Sequence, residues 1–169
     1  MVSLVYTKSP MFLSKIIMYL TRGKASHAML EFTLPTFNDK WILEATVEGV
    51  RLVPSTCALA KKTVVGKFDC MFDSEPGLRA IEKYIGAFYD FEGIVFLGFA
   101  LMLWRWFKKK VRVPHRSTNN QICSELVVHF LQASPGPDFS SYDPMSTSPN
   151  DLLVANQLDP QHFRVSEIV

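Results

Sequence analysis

A thiol, an imidazole and a carboxylate sit inside three short apolar pieces of this chain: QICSELV (residues 121–127), SHAML (26–30) and WILEA (41–45). Cys123, His27 and Glu44 are the residue types that serve as a nucleophile, a base that takes and returns its proton, and a group that orients the base. Their separation along the chain is no obstacle, because such groups meet in space. Cys123 stands where a helix is expected to begin. There the unpaired N–H groups and the helix dipole favour a thiolate, and the same N–H groups can receive an oxyanion when a carbonyl is attacked. Free cysteines are most often small buried hydrophobes; position is what separates Cys123 from Cys57, expected in a loop, and Cys70, expected inside a strand, both read as structural. Glu125 points to another side of the helix and need not oppose the thiolate.

His27 lies between Ser26 and Ala28, and small neighbours leave room for another side chain beside the ring. Its ordinary pKa, near neutrality, suits it to take the thiol proton and hand it to a leaving group. Glu44 has Leu43 and Ala45 as neighbours and shares a strand face with Ile42, so its carboxylate is expected to be partly desolvated and to need a partner. Glu31 is the rival for the orienting role. It shares a face with His27, but four residues along a strand is roughly 13 Å, too far for a hydrogen bond.

These side chains need elements to hold them. Residues 26–32 and 41–47 alternate between apolar and other residues with period two and read as strands. Glu48-Gly49 is a tight-turn signal leading into a third strand at 50–53, giving a hairpin. Residues 63–72 read as another strand, so an antiparallel sheet is expected in the first half. Ser9-Pro10 reads as a helix start, with Phe12, Ile16, Ile17 and Leu20 at helical spacing and Gly23 as the stop. Ser74 or Glu75, then Pro76, opens a helix expected to run to about residue 88. Residues 111–121 are polar and read as a loop with room for a short strand. Residues 122–131 read as a helix burying Leu126, Val127, Phe130 and Leu131. The four prolines and many serines of residues 134–150 mark a surface loop, and Pro149-Asn150-Asp151 starts a last short helix.

The 169 residues suffice for one domain spanning 1–169 with a sizeable core. With 48% hydrophobic and 20% charged residues the composition is that of a folded globular protein, and a net charge of +2 gives no global pull toward nucleic acid. Three widely spaced cysteines make a poor disulfide framework and suit a reducing compartment. No CxxC and no HExxH occurs, and the histidines are scattered, so no metal site and no cofactor are expected. The start MVSLVYTKSP lacks the features of a secretory signal, and a cytoplasmic location is expected.

The motifs SHAML, LEA and CSEL, in this order and with GAFYD (residues 86–90) between them, resemble the circularly permuted branch of the NlpC-type papain-like cysteine hydrolases, the YiiX-like group. In that branch the histidine strand precedes the cysteine helix. TRGKASHAML (21–30) is similar to its first helix-to-strand junction, ATVEGVRLVP (45–54) to its hairpin, GAFYDFEG (86–93) to its G-x-x-Y-D segment, and TSPNDL (147–152) to its S/T-P-x-D-L near the end. The resemblance implies a single-domain α+β papain-like fold in permuted order, an antiparallel sheet flanked by helices. It implies Cys123 as nucleophile, His27 as base and Glu44 as the residue that orients the imidazole, with Tyr89 lining the same cleft. The substrate implied is a peptide, amide or other acyl-bearing molecule. The chain departs from many relatives in having Ile122 before the cysteine, where they carry an aromatic or small residue, and in lacking their export signal.

One stretch, residues 93–107, opens on Gly93, closes on Phe107 and is apolar nearly all round, with Phe96, Phe99, Trp104 and Trp106 followed by Lys108, Lys109 and Lys110. It is shorter than the roughly 20 apolar residues that span a bilayer. It reads as a helix packed on the sheet; the alternative is a peripheral membrane or protein contact. That alternative goes with a second enzymatic reading, a lipid-directed acyltransferase or phospholipase of the related lecithin retinol acyltransferase group, whose N-C-E-H-F motif this chain replaces with I-C-S-E-L. A non-catalytic binder that kept the fold is the third reading.

Overall fold

A computed structural model describes residues 1–34, 39–89, 120–121 and 123–167. The chain is α+β. Its six-stranded open sheet is antiparallel throughout and combines β1 (Val2–Lys8), β2 (His27–Thr33), β3 (Lys40–Thr46), β4 (Gly49–Pro54), β5 (Thr63–Cys70) and β8 (Phe163–Glu167) in the order β4-β3-β2-β1-β5-β8. Among the described residues the helices are α1 (Phe12–Thr21), α2 (Ser55–Leu59), α3 (Glu75–Ile81), α4 (Cys123–Ala133) and α5 (Pro149–Leu158). Two short strands, β6 (Phe88–Tyr89) and β7 (Asn120–Gln121), pair in parallel. No helix among the described residues is long and apolar enough to cross a membrane. Residues 93–107 lie outside the described residues.

The core follows from the period-two faces of the central strands. Leu4, Tyr6, Ala28, Leu30, Leu43 and Ala45 face α4, which buries Leu126, Val127, Phe130 and Leu131 against them. Each such side chain contributes about 1.5–3 kcal/mol on leaving water. Cys123 precedes Leu126, Val127 and Phe130 by three, four and seven residues, so the stripe that anchors α4 also brings its first residue down onto the sheet. The opposite face carries a smaller cluster of Val5, Met29, Ile42 and Ala58, with Ala58 supplied by α2.

Several boundaries differ from the sequence reading. The N-terminal segment is β1, buried along nearly its whole length and paired with both β2 and β5. Helix α1 opens at Phe12 rather than at Ser9-Pro10, because the Ser9 N–H donates to Ser14 Oγ (3.1 Å) and the Ser9 hydroxyl accepts from the Met11 N–H. Arg22, not Gly23, takes the left-handed conformation (φ 53°) that ends this helix. The hairpin turn is Val47-Glu48, since Thr46 pairs with Gly49. Gly49 begins β4 at φ +105°, with the Ala87 carbonyl oxygen 2.7 Å from where a Cβ would sit. Only glycine admits that approach, which brings the chain at Gly86–Ala87 onto β4 through the bonds Val50 N–H to Ala87 O (2.9 Å) and Gly86 N–H to Val50 O (2.8 Å). Helix α3 stops at Ile81 and continues only as the 3-10 turn Glu82–Tyr84. Cys57 lies exposed in α2 rather than in a loop. Helix α5 starts as expected at Pro149, with a capping box: Ser148 Oγ accepts from the Asp151 N–H and the Asp151 carboxylate accepts from the Ser148 N–H.

Candidate functional site

His27 is the first residue of β2, and its backbone setting is fixed from two sides. The Ser26 N–H donates to the Thr7 carbonyl of β1 (2.9 Å), and the Ser26 hydroxyl meets Ser14 Oγ of α1 at 2.6 Å. Further back, the Lys24 N–H donates to Asn150 Oδ1 of α5 (3.0 Å). The ladder between β2 and β3 begins only at Leu30↔Leu43. At His27 the two strands are therefore not bonded to each other, and a side chain can stand between their ends.

The Glu31↔Ile42 pair places Glu44 on the face of β3 that His27 shares on β2. There His27 Nε2 meets Glu44 Oε2 at 3.1 Å. The Cys123 sulfur and the imidazole interact as well, and each shifts the proton affinity of the other. Ala28 is small and buried, and its N–H points to the sulfur, as does the N–H of Ser124 in the first turn of α4. The structure thus brings together the three side chains that the sequence singled out. Tyr89 lies in β6, whose partner Gln121 is two residues before Cys123; the Tyr89 side chain itself lies outside what is described. Glu31, the rival carboxylate, belongs to a separate cluster with Lys67 Nζ (2.5 Å), Ser55 Oγ (2.9 Å) and Lys40 Nζ (3.5 Å). Glu31, Lys67 and Lys40 line a cavity of about 320 Å³ with Ser3 and Asp69, at the far end of β2 from His27.

Two further cations meet Glu44, and the sequence reading missed both. Arg51 of β4 sits directly across the hairpin and donates from Nε (3.1 Å) and Nη2 (2.9 Å) to Oε1. Its Nη1 also bonds the carboxylate of Glu48. Lys62, in the turn before β5, donates from Nζ to Oε2 at 2.5 Å, the same oxygen that His27 uses. Glu44 is 0% exposed, His27 16% and Lys62 20%. A fully buried carboxylate is tolerated only with its lone pairs satisfied, and three donors satisfy these.

The electrostatics follow from those contacts. Burial works against the Glu44 carboxylate, but the hydrogen bonds and charges of His27 and Lys62 outweigh it and hold its pKa at about 2. Burial likewise disfavours a charged His27; the charge and hydrogen bond of the Cys123 sulfur, with the bond to Glu44, overcome it and raise the imidazole to about 9, while Lys62 pulls the other way. Burial would push the Cys123 thiol up, yet the imidazolium and the N–H groups of Ala28 and Ser124 bring it below its ordinary value. The core thiol Cys70 shows burial without such partners and is pushed up to about 12. The two shifts run together, the thiol toward the thiolate and the imidazole toward the imidazolium, the direction that suits an activated nucleophile beside an acid able to protonate a leaving group.

Among the described residues, no group of three or more His, Cys, Asp or Glu side chains is placed to hold a metal ion. No family model and no curated protein matches the sequence.

Proposed function

We propose that this protein is a cysteine hydrolase that cleaves an amide, ester or thioester, on a permuted papain-like fold of the YiiX-like kind. The observation that supports this best is the imidazole of His27 held between the Cys123 sulfur and a fully buried carboxylate. The Cys123 thiolate attacks the substrate carbonyl carbon and the carbonyl electrons move onto oxygen, where the N–H of Cys123 helps receive them. The imidazolium gives its proton to the leaving group as that bond breaks, leaving an acyl-thioester on Cys123. Water then adds to the thioester as His27 takes its proton. Collapse releases the acid and restores the thiolate and imidazolium. Glu44 holds the ring in the orientation both steps need.

Labelling with a panel of acyl electrophiles, followed by mass spectrometry of the modified residue, tests this reading. Cys123 should be modified far faster than Cys57, although Cys57 is the exposed thiol, and the preference should vanish in His27→Ala. Preferential labelling of Cys57, or labelling of Cys123 unchanged by His27→Ala, would speak against the proposal. If the apolar residues 93–107 and the lysines after them form the alternative membrane contact rather than a packed helix, the same chemistry would take a lipid-directed form. Faster turnover of esters carried in anionic vesicles than of soluble amides would select it.

A further inference from the structure

Lys62 is the least expected member of the cluster. It is neither on the hairpin of Glu44 nor on the strand of His27, yet its ammonium lies 2.5 Å from the carboxylate oxygen that the imidazole uses. Glu44 already has an ionic partner on its other oxygen in Arg51. A second cation on Oε2 is not needed to neutralise the carboxylate, and it competes for the electron density that would otherwise hold the imidazole N–H.

We infer that Lys62 is a positioning residue of the site: sharing Glu44 Oε2 with the ring, it pins the carboxylate in place and limits how tightly that carboxylate keeps the His27 proton. This rests on the hydrolase reading and extends it. The groups facing His27 are Cys123 from α4, Glu44 from β3 and Lys62 from the turn before β5; behind Glu44 stand Arg51 and Glu48, and opposite His27 on β1 is the uncharged Thr7. Formally the thiolate, imidazolium, Glu44, Lys62, Arg51 and Glu48 sum to zero, and removing Lys62 leaves one negative charge in excess. That excess favours the protonated ring, and so does the freed lone pair on Oε2. Both effects make the imidazolium a weaker acid toward a leaving group.

The rate of Cys123 alkylation by iodoacetamide across pH reads this without knowledge of the substrate. In the wild type the rate rises once as the thiolate–imidazolium pair forms and again as His27 loses its proton and frees the thiolate. In Lys62→Gln, which keeps a donor but no charge, the second rise should move to higher pH. Lys62→Arg, which keeps the charge, should bring it back. Lys62→Met, which keeps the apolar stem, is the second uncharged variant and should move the step in the same direction. Thermal unfolding of each variant accompanies the profiles. A lowered Tm with the second rise unmoved would reduce Lys62 to a structural ion pair and overturn the inference. A wild-type profile with no second rise dependent on His27 would instead remove the hydrolase reading beneath it.

Discussion

Cys123→Ala should abolish turnover, by about 10⁴-fold or more, while leaving the fold intact. Losing the nucleophile of a mechanism that runs through a covalent intermediate removes the whole chemical route, and losses of this size accompany such deletions. The fold should survive because Cys123 is a small side chain at the end of a stripe whose larger members, Leu126, Phe130 and Leu131, hold α4 to the sheet. Alanine is also a good helix former. His27→Ala should come close to the same loss, since without the ring the thiol has no proton acceptor and the leaving group no acid. Circular dichroism and Tm on both variants separate lost chemistry from lost structure. Turnover in Cys123→Ala within tenfold of the wild type would mean that the sulfur is not the nucleophile.

Glu44→Gln should cost both activity and stability. Glutamine still offers an oxygen to His27, so turnover should fall by about 10- to 100-fold rather than vanish, as for a group that orients rather than reacts. The stability loss comes from elsewhere. Removing the charge leaves Lys62 and Arg51 without their common counter-ion, and replacing one member of a buried ionic group costs about 3–5 kcal/mol. The lower end applies here, because Lys62 and Arg51 are 20% and 37% exposed and water screens part of the loss. Urea unfolding at neutral pH should show it. The sign with pH is fixed: Glu44 is held at about 2, below its unfolded value. Its stabilisation is therefore complete above the ordinary carboxylate range and is lost as pH falls through about 2. The gap between wild type and Glu44→Gln should then close in strong acid. A variant as stable as the wild type at neutral pH would show that the carboxylate does not hold this cluster together.

Most of what positions the site was legible, and the misses have physical causes. The alternation of residues 27–32 and 41–46 and the apolar stripe on α4 place His27, Glu44 and Cys123 on the right elements. Arg51 was lost by a single residue. With the turn read at Glu48-Gly49, Glu44 falls opposite Val53; with the turn at Val47-Glu48, Glu44 falls opposite Arg51. A one-residue change in turn position moves a whole register. Glycine misled because it serves here for close approach to the Ala87 carbonyl rather than as a turn residue. Lys62 had no local signal, since a lysine before a strand is usually solvated and only the tertiary fold brings it to Glu44. Strand β1 escaped notice because burial on both faces erases alternation, leaving a run without a period.

The most direct test of the thiolate–imidazolium pair is a pH titration of thiolate ultraviolet absorbance, taken as the difference between wild type and Cys123→Ser, and repeated in the His27→Ala background. The expected result is a Cys123 thiolate already formed at neutral pH in the wild type. In His27→Ala it should be lost, with the thiol then titrating at about 8.5 or above, the range of an unassisted cysteine. A wild-type Cys123 that titrates in that range, and does so equally without His27, would contradict the pairing on which the proposed chemistry rests.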